Sequence, residues 1–516
     1  MKYSIGIDIG GTNTDLVLLD PKKRCVCSCK VTTTLPLEIG VEQGLRELIK
    51  AVPLTDIEVI SIGTTHALNA LLSAKSLLPV GLIRIAGHKP ELQPGLRWGK
   101  DLRSAVLRGA VTINGGFECH GGEITPFRKE EMKQAVETLL DMGAEGFSII
   151  SCFGTLYPQH EEEACVCLQD ITGKDIPVTL SHEIGGIGFV ERENATLLNT
   201  ALKDVIGKSF SALEGICRKL GLGSMRLCLV QNDGSQMTVD EAKHKPIQTL
   251  GSGPMNSAKG GRLLSGQDSC VVVDIGGTST DVACVLNGHV KRSGGVVTIA
   301  DVRMRFPCPD VLSIALGGGS IINSDGNIGP RSVGRELCKA SQAFGGSILT
   351  LTDLALLLGS IEIPGANLTQ IRIEKNQAIK ILDKAAFKIA HAVRLVRGEN
   401  KDLPCVLVGG GALLFQEMLP ALLEGVVSLE TEQHTGIANA FGAAHSEISG
   451  HFDSVISLHN RDQALVDATN TARAEAIRKG ADPHLLKVGN LAIEPLAYSS
   501  NKLARVIVSV SGPTKG

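Results

Sequence analysis

The chain has 516 residues, a net charge of −3, 43% apolar and 20% charged residues, which are values of a soluble globular protein long enough for about three domains. The near-neutral charge and only 3% aromatic residues exclude a nucleic-acid surface, which needs basic stripes and stacking platforms. No apolar run reaches about 18 residues, and the start MKYSIGIDIGG lacks the three regions of a secretory signal, so a cytoplasmic chain without a membrane partner is expected.

Residues 3 to 31 predict a strand meander, interrupted at Asp8 to Asp15 by Asp-Ile-Gly-Gly-Thr-Asn-Thr-Asp. Cys25, Cys27 and Cys29 alternate along its last strand and so are expected to share one face, most simply a packed one; the 14 cysteines include no C-x-x-C pair and read as reduced thiols. Leu37 to Val52 has helical spacing, and Ile57 to Ile62 predicts a strand running into Gly63-Thr64-Thr65-His66 and a helix Ala67 to Leu72. Strand Val80 to Ile85, helix Glu130 to Met142, strand Phe147 to Cys152, helix Gln159 to Asp170 and strand Ile176 to Leu180 complete an α/β lobe.

A long helix, Glu191 to Leu220, and strand Met225 to Gln231 bridge to a second lobe, where Val271 to Leu286 repeats the hairpin. A glycine block at Leu316 to Ser320 follows, then helix Gln377 to Val396, strand Pro404 to Val408, Gly409-Gly410-Gly411 and helix Ala412 to Leu423. The last predicted elements are helix Gln463 to Lys479 and a strand near Val506 to Val510. The expected domains are 1–185 and 186–516.

The octapeptide at Asp8 recurs at Asp274 to Asp281 with seven of eight positions matching. Glycines let backbone N–H groups turn inward and approach an anion closely. Neither copy carries the loop lysine of a Walker motif or the G-x-G-x-x-G of a dinucleotide fold, and strand continues after each turn. Two such loops imply one nucleotide held between two related lobes. The expected contacts are Gly10, Gly11, Thr12, Asn13 and Thr14 in the first copy, and Gly276, Gly277, Thr278, Ser279 and Thr280 in the second. Asp8 and Asp274, at the strand ends, suit a hydrated Mg²⁺ beside phosphates or an oriented water, and Asp15 and Asp281 close the loops. Gly409, Gly410 and Gly411, between a strand and a helix start, suit backbone contact with purine or ribose.

Beyond the repeat, the chain contains IGTTHALNALL (Ile62 to Leu72), SHEIGGIGFVERENATLLN (Ser181 to Asn199), QNDGSQM (Gln231 to Met237) and TLGSGP (Thr249 to Pro254). With DIGGTNTD and VVDIGGTSTD, these strings resemble the hydantoinase A / 5-oxoprolinase proteins of the actin, Hsp70 and sugar-kinase superfamily, over nearly the whole chain. In place of the family's GAGGGS-like string stands Ala315-Leu316-Gly317-Gly318-Gly319-Ser320, whose glycines join the expected nucleotide contacts. The terminal region carries LVGGGALL and HTGIANAFGAA instead of a GGAGP-type sequence; Ile437 to Ala444, small residues at helical spacing, is expected to pack against another helix.

The resemblance implies two actin-like (ribonuclease-H-like) α/β lobes with a nucleotide cleft between them. It further implies an ATP-dependent hydrolase, using Mg²⁺, that opens a hydantoin or 5-oxoproline-like cyclic amide. Phosphorylating the carbonyl oxygen makes a resonance-stabilised ring carbon accessible to water, with Asp8 or Asp274 orienting the attacking oxygen. The chain would act on this small molecule as a homo-oligomer or with a separate B-type subunit. A small-molecule kinase and a non-catalytic ATP switch remain alternatives. Thr65 and His66 either face the ligand or start the helix after Gly63, with Thr64 and Thr65 as natural caps. His182 and Glu183 are either an acid/base pair or structural, and Glu191 and Asn194 share a helical face that suits the cleft or the surface equally.

Overall fold

The computed structural model describes residues 2–34, 37–87, 92–173, 175–293, 295–306, 308–427, 429, 432–496 and 503–515, without the side chains of 432–434. Tyr3–Ile9, Asn13–Leu19 and Cys25–Thr32 form the expected antiparallel meander. Ile57–Thr64 pairs parallel with the first strand, and Arg226–Val230 pairs parallel with Ile57–Thr64. The order third, second, first, fourth, fifth returns in the second sheet. There Cys270–Ile275 pairs antiparallel with Thr280–Leu286, which carries His289–Val290 on its far side; Cys405–Val408 and Val426–Val427 follow in parallel. The register puts Asp8 opposite Asp15 and Asp274 opposite Asp281, so the repeated octapeptide folds twice into the same hairpin end.

The first sheet grows to nine strands through Ser235–Thr238, Glu447–Ser457, Leu503–Gly512 and Lys487–Pro495. Residues on both sides of position 185 therefore contribute to it. A separate four-stranded parallel sheet holds Leu107–Ile113, Val80–Ile85, Gly146–Ser151 and Val178–Leu180 in that order. Its central strands are buried on both faces, which is why Val80–Ile85 reads as an unbroken apolar run with only Arg84 charged. The helix expected from Glu191 spans Phe189–Lys219 and runs through the main core with Leu197, Leu198, Ala201 and Ile206 fully buried.

Two expectations fail for local reasons. Ala412 to Leu423 is not one helix: a short 3₁₀ turn, Ala412–Leu414, and a four-residue helix, Leu419–Leu422, stand in its place, because Pro420 keeps Leu419 out of an uninterrupted helical run. Nor do the three strand cysteines share a face. A bulge pairs Leu18 with Cys27 but Leu19 with Cys25, so Cys27 and Cys29 pack on the main core and Cys25 joins the cluster around Val17 and Ile437. Among the described residues no group of three or more His, Cys, Asp or Glu is placed to hold a metal ion, and no helix is long and apolar enough to cross a membrane.

The lobes are tied together in two places. Helix Ser252–Ser265 packs under the second sheet and helix Glu432–Ala444 under the first, and the two cross. At the crossing a Cβ on Gly260 would stand 1.8 Å from the Ala438 carbonyl oxygen and one on Gly442 would stand 2.0 Å from that of Asn256, so backbone touches backbone. This is the close packing expected for Ile437 to Ala444. The second tie is a hairpin, Val296–Ile299 and Val302–Arg305, which leaves the second lobe and buries Val302, Met304, Phe306 and Cys308 in the core of the first.

Candidate functional site

Both phosphate-loop turns close alike: the Gly10 N–H donates to the Asn13 carbonyl at 3.1 Å and the Gly276 N–H to the Ser279 carbonyl at 2.9 Å. They also meet. A Cβ on Gly277 would lie 3.7 Å from Thr12 Oγ1, so the tips face one another across a narrow gap, and Gly11, Gly277 and Thr278 are solvent-exposed there. Gly318 and Gly319 donate to the carbonyls of Gly276 and Gly277 at 3.0 and 2.7 Å, and the Gly411 N–H donates to the Ile275 carbonyl at 2.7 Å. The glycine blocks at 317–319 and 409–411 thus form one surface with the second loop.

The threonines divide. Thr12 lines the gap, whereas Thr14 and Thr280 are buried, with the Thr14 hydroxyl on Thr33 Oγ1 at 2.9 Å and the Thr280 hydroxyl on the Leu316 carbonyl at 2.6 Å. Their hydroxyls hold the turns in shape and do not point at a ligand.

Behind the turns lie the aspartates. Asp8 is 4% exposed and Asn439 Nδ2 donates to its Oδ2 at 3.3 Å, while Asp274 Oδ2 accepts from Ser257 Oγ at 2.6 Å. The Asn439 amide also favours the ionised form of Asp274, so it lies beside the carboxylates of both lobes. Burial, followed by the charge of Asp15, raises the pKa of Asp8 to about 7. Burial likewise raises Asp15 and Asp274, and takes Asp281, which accepts from Ser313 Oγ, to about 6. Lys30 opposes this trend. Its Nζ lies 3.1 Å from Asp15 Oδ1 and within 4.0 Å of where a Cβ on Gly410 would be, so a first-lobe cation reaches the glycines of the second.

Lys30, Asn256, Ser257 and Asn439 were not singled out by sequence. Lys30 could have been found from the meander register, which sets it opposite Asp15. Ser257 follows TLGSGP and Asn439 lies within HTGIANAFGAA, where each string as a whole was the signal.

Thr65 lies beside the first loop, its N–H and hydroxyl both donating to the Ile9 carbonyl at 3.2 and 3.3 Å. His66 opens helix His66–Ser73 with its N–H on Thr64 Oγ1 at 3.0 Å, and burial lowers its pKa. His182 and Glu183 lie elsewhere, on a cavity of about 650 Å³ that no phosphate-loop residue lines. His182 does not pair with Glu183. Its Nδ1 meets Glu161 Oε2 at 2.8 Å, because the chain reversal at Ser181 points the ring back at helix Gln159–Thr172.

Glu161 is fully buried and also accepts from Ser151 N, Ser181 Oγ and His182 N; Arg192, 0% exposed, completes the knot through Ser181 Oγ and the Ser151 carbonyl. Burial opposes its ionisation, but the His182 bond and the Arg192 charge together hold its pKa low. Replacing one member of such a knot strands the others. Glu161→Gln is expected to destabilise the protein by about 3 kcal/mol, measured by denaturant unfolding. Asn194 caps this region by donating to the Arg303 carbonyl at 2.9 Å and accepting from Trp98 Nε1 at 3.2 Å; it and half-buried Glu191, which pairs with Arg303, serve the long helix and its hairpin and not the phosphate loops.

A duplicated α/β sheet whose two hairpin turns face each other with a carboxylate behind each defines a two-lobed, actin-like fold. The profile of the hydantoinase/oxoprolinase N-terminal region matches residues 4–172, and that of hydantoinase/oxoprolinase matches residues 192–369. The chain belongs to the hydantoinase/oxoprolinase family.

It is 25% identical over 518 aligned residues to the caprolactamase subunit alpha of Pseudomonas jessenii, covering 90% of this chain and 73% of that one. To the acetophenone carboxylase gamma subunit of Aromatoleum aromaticum it is 26% identical, covering 76% of this chain and 59% of that one. The crystal structure of the ATP-dependent caprolactamase from Pseudomonas jessenii superposes with a TM-score of 0.78 at 20% identity, covering 99% of this chain and 88% of that one, which establishes the shared fold.

Proposed function

We propose that this chain uses ATP to phosphorylate the carbonyl oxygen of a cyclic amide and so drives its hydrolytic opening. One observation carries the reading: two glycine turns face each other at the distance of a side-chain contact, with a carboxylate from each lobe behind them and Asn439 bonded to one of the two. The turns would hold the phosphates through backbone N–H groups, and closure of the lobes would align the γ-phosphoryl group with the ring oxygen. The relatives are named for a lactam and for acetophenone, each a carbonyl compound, and both are named as subunits, so a second subunit is expected to complete the hydrolysis.

The steps balance as follows. The bond between the γ-phosphorus and the ADP oxygen breaks as the lactam oxygen takes the phosphoryl group. Water then adds to the ring carbon. The C–N bond breaks, its nitrogen leaving with a proton, and the resulting acyl phosphate is hydrolysed by a second water to a carboxylate and inorganic phosphate. Asp274, held by Ser257, would position the phosphoryl acceptor side, and Asp8 the opposing side.

Mg²⁺ fits this site. Asp8 Oδ1 is buried without a hydrogen-bond partner, and acidic side chains cannot face phosphates without an intervening cation. Bound there, the ion would neutralise phosphate charge; Asp8 and Asp274 would hold it, through its water shell.

The division into 1–185 and 186–516 is likewise our reading. It is supported by the gap between the two matched stretches, 4–172 and 192–369.

The test is ATP-dependent phosphate release from the purified chain with hydantoin, 5-oxoproline and caprolactam in turn. Stimulation by a ring compound with equimolar ring-opened acid supports the proposal; stimulation only by a ketone with bicarbonate favours carbonyl phosphorylation in a carboxylase, and a stable phosphoester favours a kinase. Lys30→Met supplies a second check. Removing the cation that favours ionised Asp15, Asp8 and Asp274 raises their pKa values further, so the acidic limb of the kcat/KM profile should move to higher pH, by about one unit.

A further inference from the structure

The cavity of about 650 Å³ has a built polar wall. His182 is clamped by Glu161 through Nδ1 at 2.8 Å, which leaves Nε2 for the cavity. Beside it the Arg505 guanidinium lies flat on the backbone of Gly186, where a Cβ would stand 2.7 Å from Cζ. Arg505 is already engaged by Asp453 and Glu494. Arg305 lines the same cavity and reaches Glu494 through Nη2 at 2.8 Å. Glu183 and Asp240 line the same cavity, and neither makes an ion pair with any described residue.

Charges of both signs thus face one space, the cations shared with Glu161 and Glu494 and the two carboxylates without an ion-pair partner among the described residues. A neutral guest would strip water from them without compensation, whereas a guest carrying both charges would satisfy them. We propose that this cavity binds a zwitterionic amino acid, its carboxylate against His182 and Arg305 and its ammonium against Glu183 and Asp240.

The cavity also communicates with the cleft. Its wall at Gln231 continues to Gly234, where a Cβ would lie 3.0 Å from Met255 Cγ, two residues before the Ser257 that holds Asp274. Arg305 and Phe306 reach it on the hairpin that follows the second phosphate-loop strand. Opening a cyclic amide yields a molecule of this class, so the guest is either that product, which rests on the function proposed above, or a free amino acid acting as an effector.

The test is calorimetric titration of the full chain with ε-aminocaproate, glutamate, hexanoate, hexylamine and caprolactam, with a fluorescent ATP analogue titrated separately. At least one zwitterion is expected to bind about tenfold tighter than each singly charged or neutral probe. Arg305→Gln and Glu183→Gln should each weaken it about tenfold while leaving nucleotide affinity and melting temperature unchanged. Absence of a zwitterion preference, or binding indifferent to both substitutions, overturns the inference even if ring-stimulated ATP turnover is found. Zwitterion binding without such turnover leaves the site standing and removes the reading of its guest as a product. Where both occur, inhibition competitive with the ring compound identifies the product, and altered turnover without competition identifies an effector; either supports the site.

Discussion

Asp274→Asn is expected to lower ATP turnover by about 10²- to 10³-fold, equivalent to about 3–4 kcal/mol of transition-state stabilisation, while nucleotide affinity changes far less. The substitution preserves shape and a hydrogen-bond acceptor for Ser257 Oγ, so what it removes is a half-buried negative charge behind the second glycine turn. Turnover in single-turnover and steady-state assays, read beside a nucleotide titration, separates the two effects.

Asp8→Asn should show the same loss of turnover with an opposite effect on stability. The Asp8 pKa is raised from 3.8 to about 7. A carboxyl whose folded pKa is raised contributes stability that is fully present below its unfolded value and lost as pH rises through the folded one. Between about pH 4 and 7 the wild-type protein therefore loses on the order of 4 kcal/mol that the asparagine variant, with nothing to ionise, retains. Thermal unfolding at pH 5 and pH 8 should show a larger drop for wild type, and a variant that melts higher at pH 8 yet turns over poorly. A carboxylate kept at such a cost to folding is one held for its chemistry.

Gly260→Val is expected to destabilise the protein strongly, by about 3 kcal/mol or more, with nucleotide affinity falling alongside. The added Cβ would meet the Ala438 carbonyl oxygen at 1.8 Å, and backbone cannot rotate away as a side chain can. The helices must separate, and since one carries Ser257 and the other Asn439, their separation pulls apart the two groups that hold Asp274 and Asp8. Gly207→Ala, at a helical glycine with nothing within 4 Å, is the control and should be neutral or slightly stabilising. Melting temperature and nucleotide titration on the two variants check both parts.

What sequence revealed here was whatever is written in consecutive residues. The repeated octapeptide, the glycine blocks and the alternation of strands and helices each depend on neighbours, and they gave two lobes with facing glycine turns before any coordinates. Lys30 escaped because its role depends on a cross-strand register and on glycines about 380 residues away, a separation no local pattern encodes. Asn439 escaped for a related reason: it lies in a string whose small residues signal packing, and only the helix crossing turns its amide toward Asp8. His182 and Glu183, readable in sequence as an acid/base pair or as structural residues, do not pair; the fold supplies Glu161 to His182, because a reversal at Ser181 faces the ring backwards. In Ala412 to Leu423 the apolar spacing was right, but Pro420 outweighs it.

The nine-stranded sheet brings together residues as early as Tyr3 and as late as Gly512. During synthesis, the edge left by Ser235–Thr238 stays unpaired until Glu447–Ser457 has left the ribosome, and that strand in turn waits for Leu503–Gly512. The nascent chain therefore carries an open β edge through about 200 residues of translation, at roughly 5–20 residues per second, and is exposed to edge-to-edge association for that time.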